Sequence, residues 1–311
     1  MSVPVSSIPL DQALARRRFA RAAASPAAYD HAAALHREVA RRMLERLDYI
    51  KLTPRYVVDA GCGPGHALKG LALRFPDARL IAVDASLAMS ARARNAMANA
   101  AIPGWMRRWL GSGPVVPLVA DFERLPLTDA GIGCIWSNLA LHWARDPAAT
   151  FVEWRRVLVT EGLVMFSMLG PDTLKELRTA WAKAGGAHVH PFIDMHDVGD
   201  MLVHAGFADP VMDMETITLT YRDLDGLFAD LRATGTTNAH LARSRGLTGK
   251  SAWKSMRDAY ETMRRDGTLP ATFEVIYGHA WKPQPRPGRD GVAVVRVEDI
   301  GRGGQRRHGQ R

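Results

Sequence analysis

Four polar side chains stand at or near the ends of short apolar runs in the first half of the chain: Asp59, Asp84, Asp121 and Asn138. Asp59 closes a run that leads into Gly61-Cys62-Gly63-Pro64-Gly65. Glycines there permit positive φ and leave no Cβ in the way of a ligand lying on the backbone. The helical pattern that follows opens with unpaired N–H groups, which suit an anionic group. A carboxylate at position 59 suits a ligand ammonium and would repel a pyrophosphate. Asp84 lies 19 positions after Gly65, where a carboxylate accepts from both hydroxyls of a ribose; it can equally cap the helix that follows. Asp121 and Phe122 come after a third run and suit an adenine, the acid taking the exocyclic amine and the ring packing on the base. The stretch 137–143 ends a fourth run where the reactive end of such a ligand would lie. Asn138 there either holds cofactor or acceptor or shapes a turn.

An ammonium, a ribose and an adenine without phosphate describe S-adenosylmethionine. Asp59-Ala60-Gly61-Cys62-Gly63-Pro64-Gly65, Asp84, Asp121-Phe122 and Ser137-Asn138-Leu139-Ala140-Leu141-His142-Trp143 resemble, in order and spacing over residues 50–170, the class I S-adenosylmethionine-dependent methyltransferases. The resemblance implies a doubly wound, Rossmann-like α/β fold with a seven-stranded sheet. It also implies a cofactor held by Asp59, Gly61, Gly63, Gly65, Asp84, Asp121, Phe122 and Asn138.

Hydrophobic periodicity supplies the elements that must position these residues. Strands are expected at 56–60, 80–83, 115–119, 132–137 and 163–167, with helices at 68–75, 86–99 and 147–158 between them. Alternation of strand and helix implies a parallel sheet. Two helices, 11–24 and 29–47, precede the sheet, and residues 1–50 read as a helical cap in which Tyr29 either reaches over the site or simply packs. Residues 51–282 read as the methyltransferase domain. Its later part carries helices at 173–183 and 197–205, Gly206 as a helix stop, an alternating strand at 211–219 and a last strand at 272–280. A helical insert at about 223–265 exceeds what the core fold needs and, with residues 171–200, is the expected place of acceptor recognition.

Composition excludes several classes. No run of 18 apolar residues occurs, so no transmembrane helix is expected. Cys62 and Cys134 sit in a loop and a strand, which suits a reducing cytoplasm rather than a disulfide, and His and Cys do not cluster at metal-ligand spacing. Arg16, Arg17, Arg18 and Arg21 face only Asp11 in residues 1–24; this is a basic helix of the fold or, alternatively, a mitochondrial transit peptide. Of the net charge of +9, residues 283–311 contribute +4, seven Arg against three acids, in a Gly- and Pro-rich tail expected to be disordered. The remaining +5 shows no basic cluster interleaved with aromatics, so nucleic acid is not the expected partner.

The acceptor is the open question at this level. Methyl transfer from a sulfonium needs alignment and exclusion of water, and a base only if the acceptor holds a proton. His142 is the one titratable group that the motifs place near the methyl; it is a base or a wall of the pocket. The stretches 19–25, 29–30, 37–47 and 137–141, with Leu169-Gly170, Thr173-Leu174 and Glu176-Leu177-Arg178, resemble the malonyl-acyl-carrier-protein O-methyltransferases of biotin synthesis. That family esterifies the free carboxylate of a malonyl thioester, on carrier protein or coenzyme A, which needs no base. An acidic carrier would suit a basic enzyme surface. Arg178 is then a contact for acceptor carboxylate or carrier, or a solvated helix residue. The segments 141–143, 172–178, 190–192 and 269–273 also resemble complex I assembly factors of the same fold, which hydroxylate an arginine of a partner subunit.

Overall fold

The computed structural model describes residues 9–98, 115–182, 188–243 and 245–285. The expected disordered tail, apart from its first three residues, and the 101–114 loop lie outside them. Seven strands form one sheet: β1 Tyr56–Ala60, β2 Arg79–Asp84, β3 Val116–Val119, β4 Ile132–Ser137, β5 Leu158–Leu169, β6 Ala208–Tyr221 and β7 Leu269–Trp281. Their order is β3-β2-β1-β4-β5-β7-β6. The first five are parallel, and β7 runs antiparallel between β5 and β6. The order reverses between β1 and β4, and a crevice opens there beyond the strands' carboxyl ends.

Burial explains the sequence patterns. All of β4 is buried, and its residues alternate between two cores: Cys134 and Trp136 on one face, Ile135 on the other. Edge strand β6 instead alternates half-buried and exposed positions, which is why its sequence alternates apolar and polar.

Helices α1 Gln12–Ala23, α2 Pro26–Ala32 and α3 Ala34–Leu47 precede the sheet. The continuous helix expected at 29–47 is broken at Ala33 (φ −81°, ψ 25°). The break turns Tyr29 into a small cluster with Ala22, Ala23, Ala33 and Met89. Helices α4 Leu68–Arg74, α5 Leu87–Ala98 and α6 Pro147–Val157 make the crossovers; Asp146 caps α6 through the Ala149 amide, with Pro147 in its first turn. Strand β5 starts five residues before the 163–167 expected, so Glu161-Gly162 lies within it, and Glu161 takes φ +60° as the ladder to β4 shifts register.

Helix α7 spans Lys175–Trp181, starting two residues later than expected because Thr173 and Leu174 are hydrogen-bonded to β7. Helix α8 Met195–His204 ends through Gly206 at φ +83°. Helices α9 Leu224–Ala233 and α10 Lys250–Glu261 form the insert between β6 and β7. Helices α3, α7, α9 and α10 all contribute to the same core cluster, so the insert and α3 share one face of the sheet.

Candidate active site

The crevice holds a cleft of about 1020 Å³, counting its open mouth. Asp59, Gly61, Gly63, Asp84, Asp121, Phe122, Asn138 and Tyr29 all line it. Asp59 is 3% exposed, and its Oδ2 has no hydrogen-bond partner among the described residues. Burial, aided by the charge of Asp84, pushes its carboxyl up to about 8. Asp84 Oδ2 accepts from the Gly63 amide at 2.9 Å and Oδ1 from the Ser86 amide at 2.8 Å. Asp84 thus fastens the glycine loop to the end of β2, and Ser86 Oγ, accepting from the Met89 amide, serves α5.

The loop glycines do different jobs. At Gly61 (φ +75°) a Cβ would stand 2.4 Å from the Ala140 Cβ, and at Gly65 it would meet Leu68 and Ala93. These two permit close packing of protein on protein. Gly63 alone faces open space, with only the Tyr29 hydroxyl 3.6 Å from an added Cβ.

Asp121 receives the Arg16 guanidinium at 2.7 Å, and the Glu123 amide binds its other oxygen. Helix α1 thereby closes one side of the cleft, with Gln12, Ala15 and Phe19 also in the lining. Nothing in the spacing of the motifs pointed to α1. Its basic residues were visible, but their reach across 105 positions to Asp121 was not. Asn138 donates from Nδ2 to the His36 carbonyl and accepts from Ser167 Oγ, each at 3.0 Å. Its side chain therefore braces α3 against β5 at the rim of the cleft.

A second cavity of about 1060 Å³ adjoins the first and shares His36, Leu139, Trp143 and Thr236 with it. Leu139 sits at the junction with φ +50°, its amide held by Ser167. The lining of the second cavity is mainly apolar, with Leu35, Leu177, Trp181, Phe192, Phe228 and Trp253 prominent, and among the described residues contains no carboxylate. Among the described residues its one Lys or Arg is Arg232. His142 lies in this second wall, 2% exposed, with Nδ1 accepting the Leu169 amide at 3.4 Å. Burial holds it well below the ordinary imidazole range. Arg178 lines neither cavity; it donates to the Thr173 carbonyl. His36, lowered by burial to about 4, belongs to both cavities, and its buried Nδ1 has no partner among the described residues. The sequence offered one faint sign of it, a histidine amid the apolar face of α3.

A family model described as a methyltransferase domain matches residues 58–166. The fold is shared with the YcgJ protein of Bacillus subtilis, at 17% identity and a TM-score of 0.53 over 80% of this chain and 99% of that one. Two curated relatives carry the name malonyl-[acyl-carrier protein] O-methyltransferase. The one from Gallionella capsiferriformans is 49% identical over 93% of this chain and 97% of its own. The one from Nitrosospira multiformis is 52% identical over 89% and 91%.

The chain belongs to the malonyl-[acyl-carrier protein] O-methyltransferase family. It is an S-adenosylmethionine-dependent methyltransferase with a class I fold, and the comparisons lend no support to the complex I alternative. The residues of this methyltransferase fit its cofactor on structural grounds of their own. The orphaned Asp59 oxygen is a buried acceptor that a ligand cation or N–H would satisfy, and Gly63 leaves open space beside it. Tyr29 covers the loop from above; burial and the charge of Asp84 raise its phenol well beyond the ordinary range, so it stays protonated and donates. Among the described residues, no three His, Cys, Asp or Glu side chains group as a metal site, and no helix is long and apolar enough to cross a membrane.

Proposed function

We propose that this methyltransferase esterifies the free carboxylate of a malonyl thioester, carried on acyl carrier protein or coenzyme A, to its methyl ester. Masking that charge lets the chain be elongated towards the pimeloyl part of biotin, and a cytoplasmic location goes with it. S-adenosylmethionine, when bound, supplies a methyl group on a sulfonium that a nucleophilic oxygen takes by in-line displacement. In this reading Asp59 takes the cofactor's ammonium, Asp84 the ribose, and Asp121 with Phe122 the adenine. Asn138 acts by holding α3 and β5 at the junction.

One observation supports the carboxylate acceptor above others: the second cavity offers no strong base, because burial lowers the imidazoles of His36 and His190 in its wall to about 4 and that of His142 well below the ordinary range. Among the described residues its lining contains no carboxylate, and the Nδ1 lone pair of His142 is spent on the Leu169 amide, which leaves the proton on Nε2. A hydroxyl or amine acceptor would need a base there. A carboxylate, ionised above a pKa of about 4, does not. The neutral His36 at the junction can donate one N–H to it.

The test is transfer of labelled methyl from S-adenosylmethionine to malonyl carrier protein and to malonyl-CoA, beside a control without acceptor. Label in a base-labile methyl ester is expected. Cofactor binding without any transfer would overturn the acceptor assignment and leave the cofactor site standing.

A further inference from the structure

The acceptor cavity opens beside a stretch of unusual charge. From residue 231 to 257 the chain carries six cations, Arg232, Arg243, Arg245, Lys250, Lys254 and Arg257, and no Asp or Glu, a net +6 in 27 residues of a chain whose total is +9. Three of the six are paired with acids elsewhere: Arg243 with Asp11, Lys254 with Asp258 and Arg257 with Asp225. Arg232, Arg245 and Lys250 make no ion pair with any described residue. Two apolar side chains stand out among them. Leu247 is fully exposed and Trp253 is 38% exposed. Trp253 packs on Phe228 and Trp181, both lining the acceptor cavity, so its ring is wall on one side and surface on the other. The Arg257–Asp225 fork, with bonds of 2.8 and 3.0 Å, ties α10 to α9 and keeps this face in one piece.

We infer that the α9–α10 face around Arg245, Leu247, Lys250 and Trp253 is the docking surface for an acidic carrier domain. Its thioester arm enters the second cavity past Arg232 and Trp253. The inference rests on the malonyl carrier reading and adds to it where the protein part of the substrate sits. Unpaired cations around an exposed apolar pair complement an acidic surface with an apolar centre. The lining behind them is mainly apolar with Thr173, Thr236 and Thr237 interspersed and, among the described residues, no carboxylate, so it suits the apolar parts and the amides of an arm and sets no like charge against the terminal carboxylate.

The experiment compares wild type with the Arg245→Glu, Lys250→Glu double variant on two substrates, malonyl carrier protein and malonyl-pantetheine, which has the arm without the carrier. Both positions are exposed and outside the two cavities. The expected result is a KM for malonyl carrier protein raised at least tenfold, with kcat/KM for malonyl-pantetheine unchanged. Wild-type KM for the carrier should rise with salt, and that dependence should flatten in the variant. An unchanged carrier KM overturns the docking surface while the function stands. Equal losses on both substrates also overturn it, since the damage would then lie in the cavity or the fold. Wild type that methylates neither substrate removes the functional reading, and the docking surface with it.

Discussion

Asp59 carries the most physical tension of any side chain in the site. A carboxyl with an ordinary pKa of about 4 is held at about 8 because it is buried with one oxygen unpaired. At neutral pH the ligand-free side chain keeps its proton. A bound cation favours the charged form, so cofactor binding must expel that proton. Affinity for S-adenosylmethionine should therefore climb by about tenfold per pH unit towards about pH 8 and fall again above it, where the cofactor's own ammonium, an α-amino group of pKa about 8, loses its proton. Equilibrium binding from pH 6 to 9 checks this, and a flat profile would refute it.

The same shift bears on stability. Between the unfolded pKa near 4 and the folded value, the native state holds a proton that the unfolded chain has lost. The ligand-free fold thus loses stability as pH rises through that window. Asp59→Asn should flatten this decline in a melting series, and it should weaken the cofactor by at least about tenfold, as expected on losing one partner of a buried charge contact. His142→Gln should leave carboxylate methylation within a few-fold of wild type. A drop in kcat beyond about a hundredfold would mean a base is at work and the acceptor carries a proton.

At the scale of elements, the site depends on how closely the glycine loop lies against the end of β4. An added Cβ at Gly61 would stand 2.4 Å from the Ala140 Cβ, on a backbone with φ +75°. Gly61→Ala should therefore cost about 2–4 kcal/mol from left-handed strain plus overpacking, read as a lowered denaturation midpoint with an unchanged m-value. Helix α1 is the other decisive element. Gln12 donates to the Trp143 carbonyl, Phe19 meets Trp143 edge-on, Arg16 pairs with Asp121, and Arg18 donates to the carbonyls of Thr237 and Asn238. These contacts clasp α1 to Trp143 and Asp121 in the cleft wall and, through Arg18, to the segment after α9. Arg18→Ala should speed release of S-adenosylhomocysteine several-fold in a stopped-flow chase while leaving the melting temperature close to wild type.

For the molecule as a whole, the two cavities meet between the sheet's carboxyl edge, the N-terminal helices and the insert. A ligand in the cofactor cleft therefore bridges parts of the chain far apart in sequence. At about a hundred times its Kd, S-adenosylhomocysteine should stabilise the fold by about 2.7 kcal/mol. Calorimetry should show a single transition moved up by several degrees. An unmoved transition would mean that the cleft does not bind in the native state.

The chain's local patterns determined most of the scaffold. Strand runs, the glycine loop, the Asp146-Pro147 helix start and the Gly206 stop are encoded within a few residues of where they act, because propensity, capping and alternation are short-range effects. The motif residues Asp59, Gly63, Asp84, Asp121 and Phe122 were legible for the same reason: each stands at a strand end or in the first loop, and a parallel sheet brings its carboxyl ends together. Tertiary structure alone decided what closes the site. The pairing of Arg16 with Asp121, the entry of His36 between two cavities, the engagement of Asn138 and His142 by neighbouring backbone, and the exchange of Arg178 for Arg232 as the cation lining the acceptor cavity all depend on contacts between distant segments. So does the break at Ala33, which no proline or glycine announces and which brings Tyr29 against Met89 and over the glycine loop. Periodicity tells which face of a helix is buried; what that face meets is settled only when the whole chain has packed.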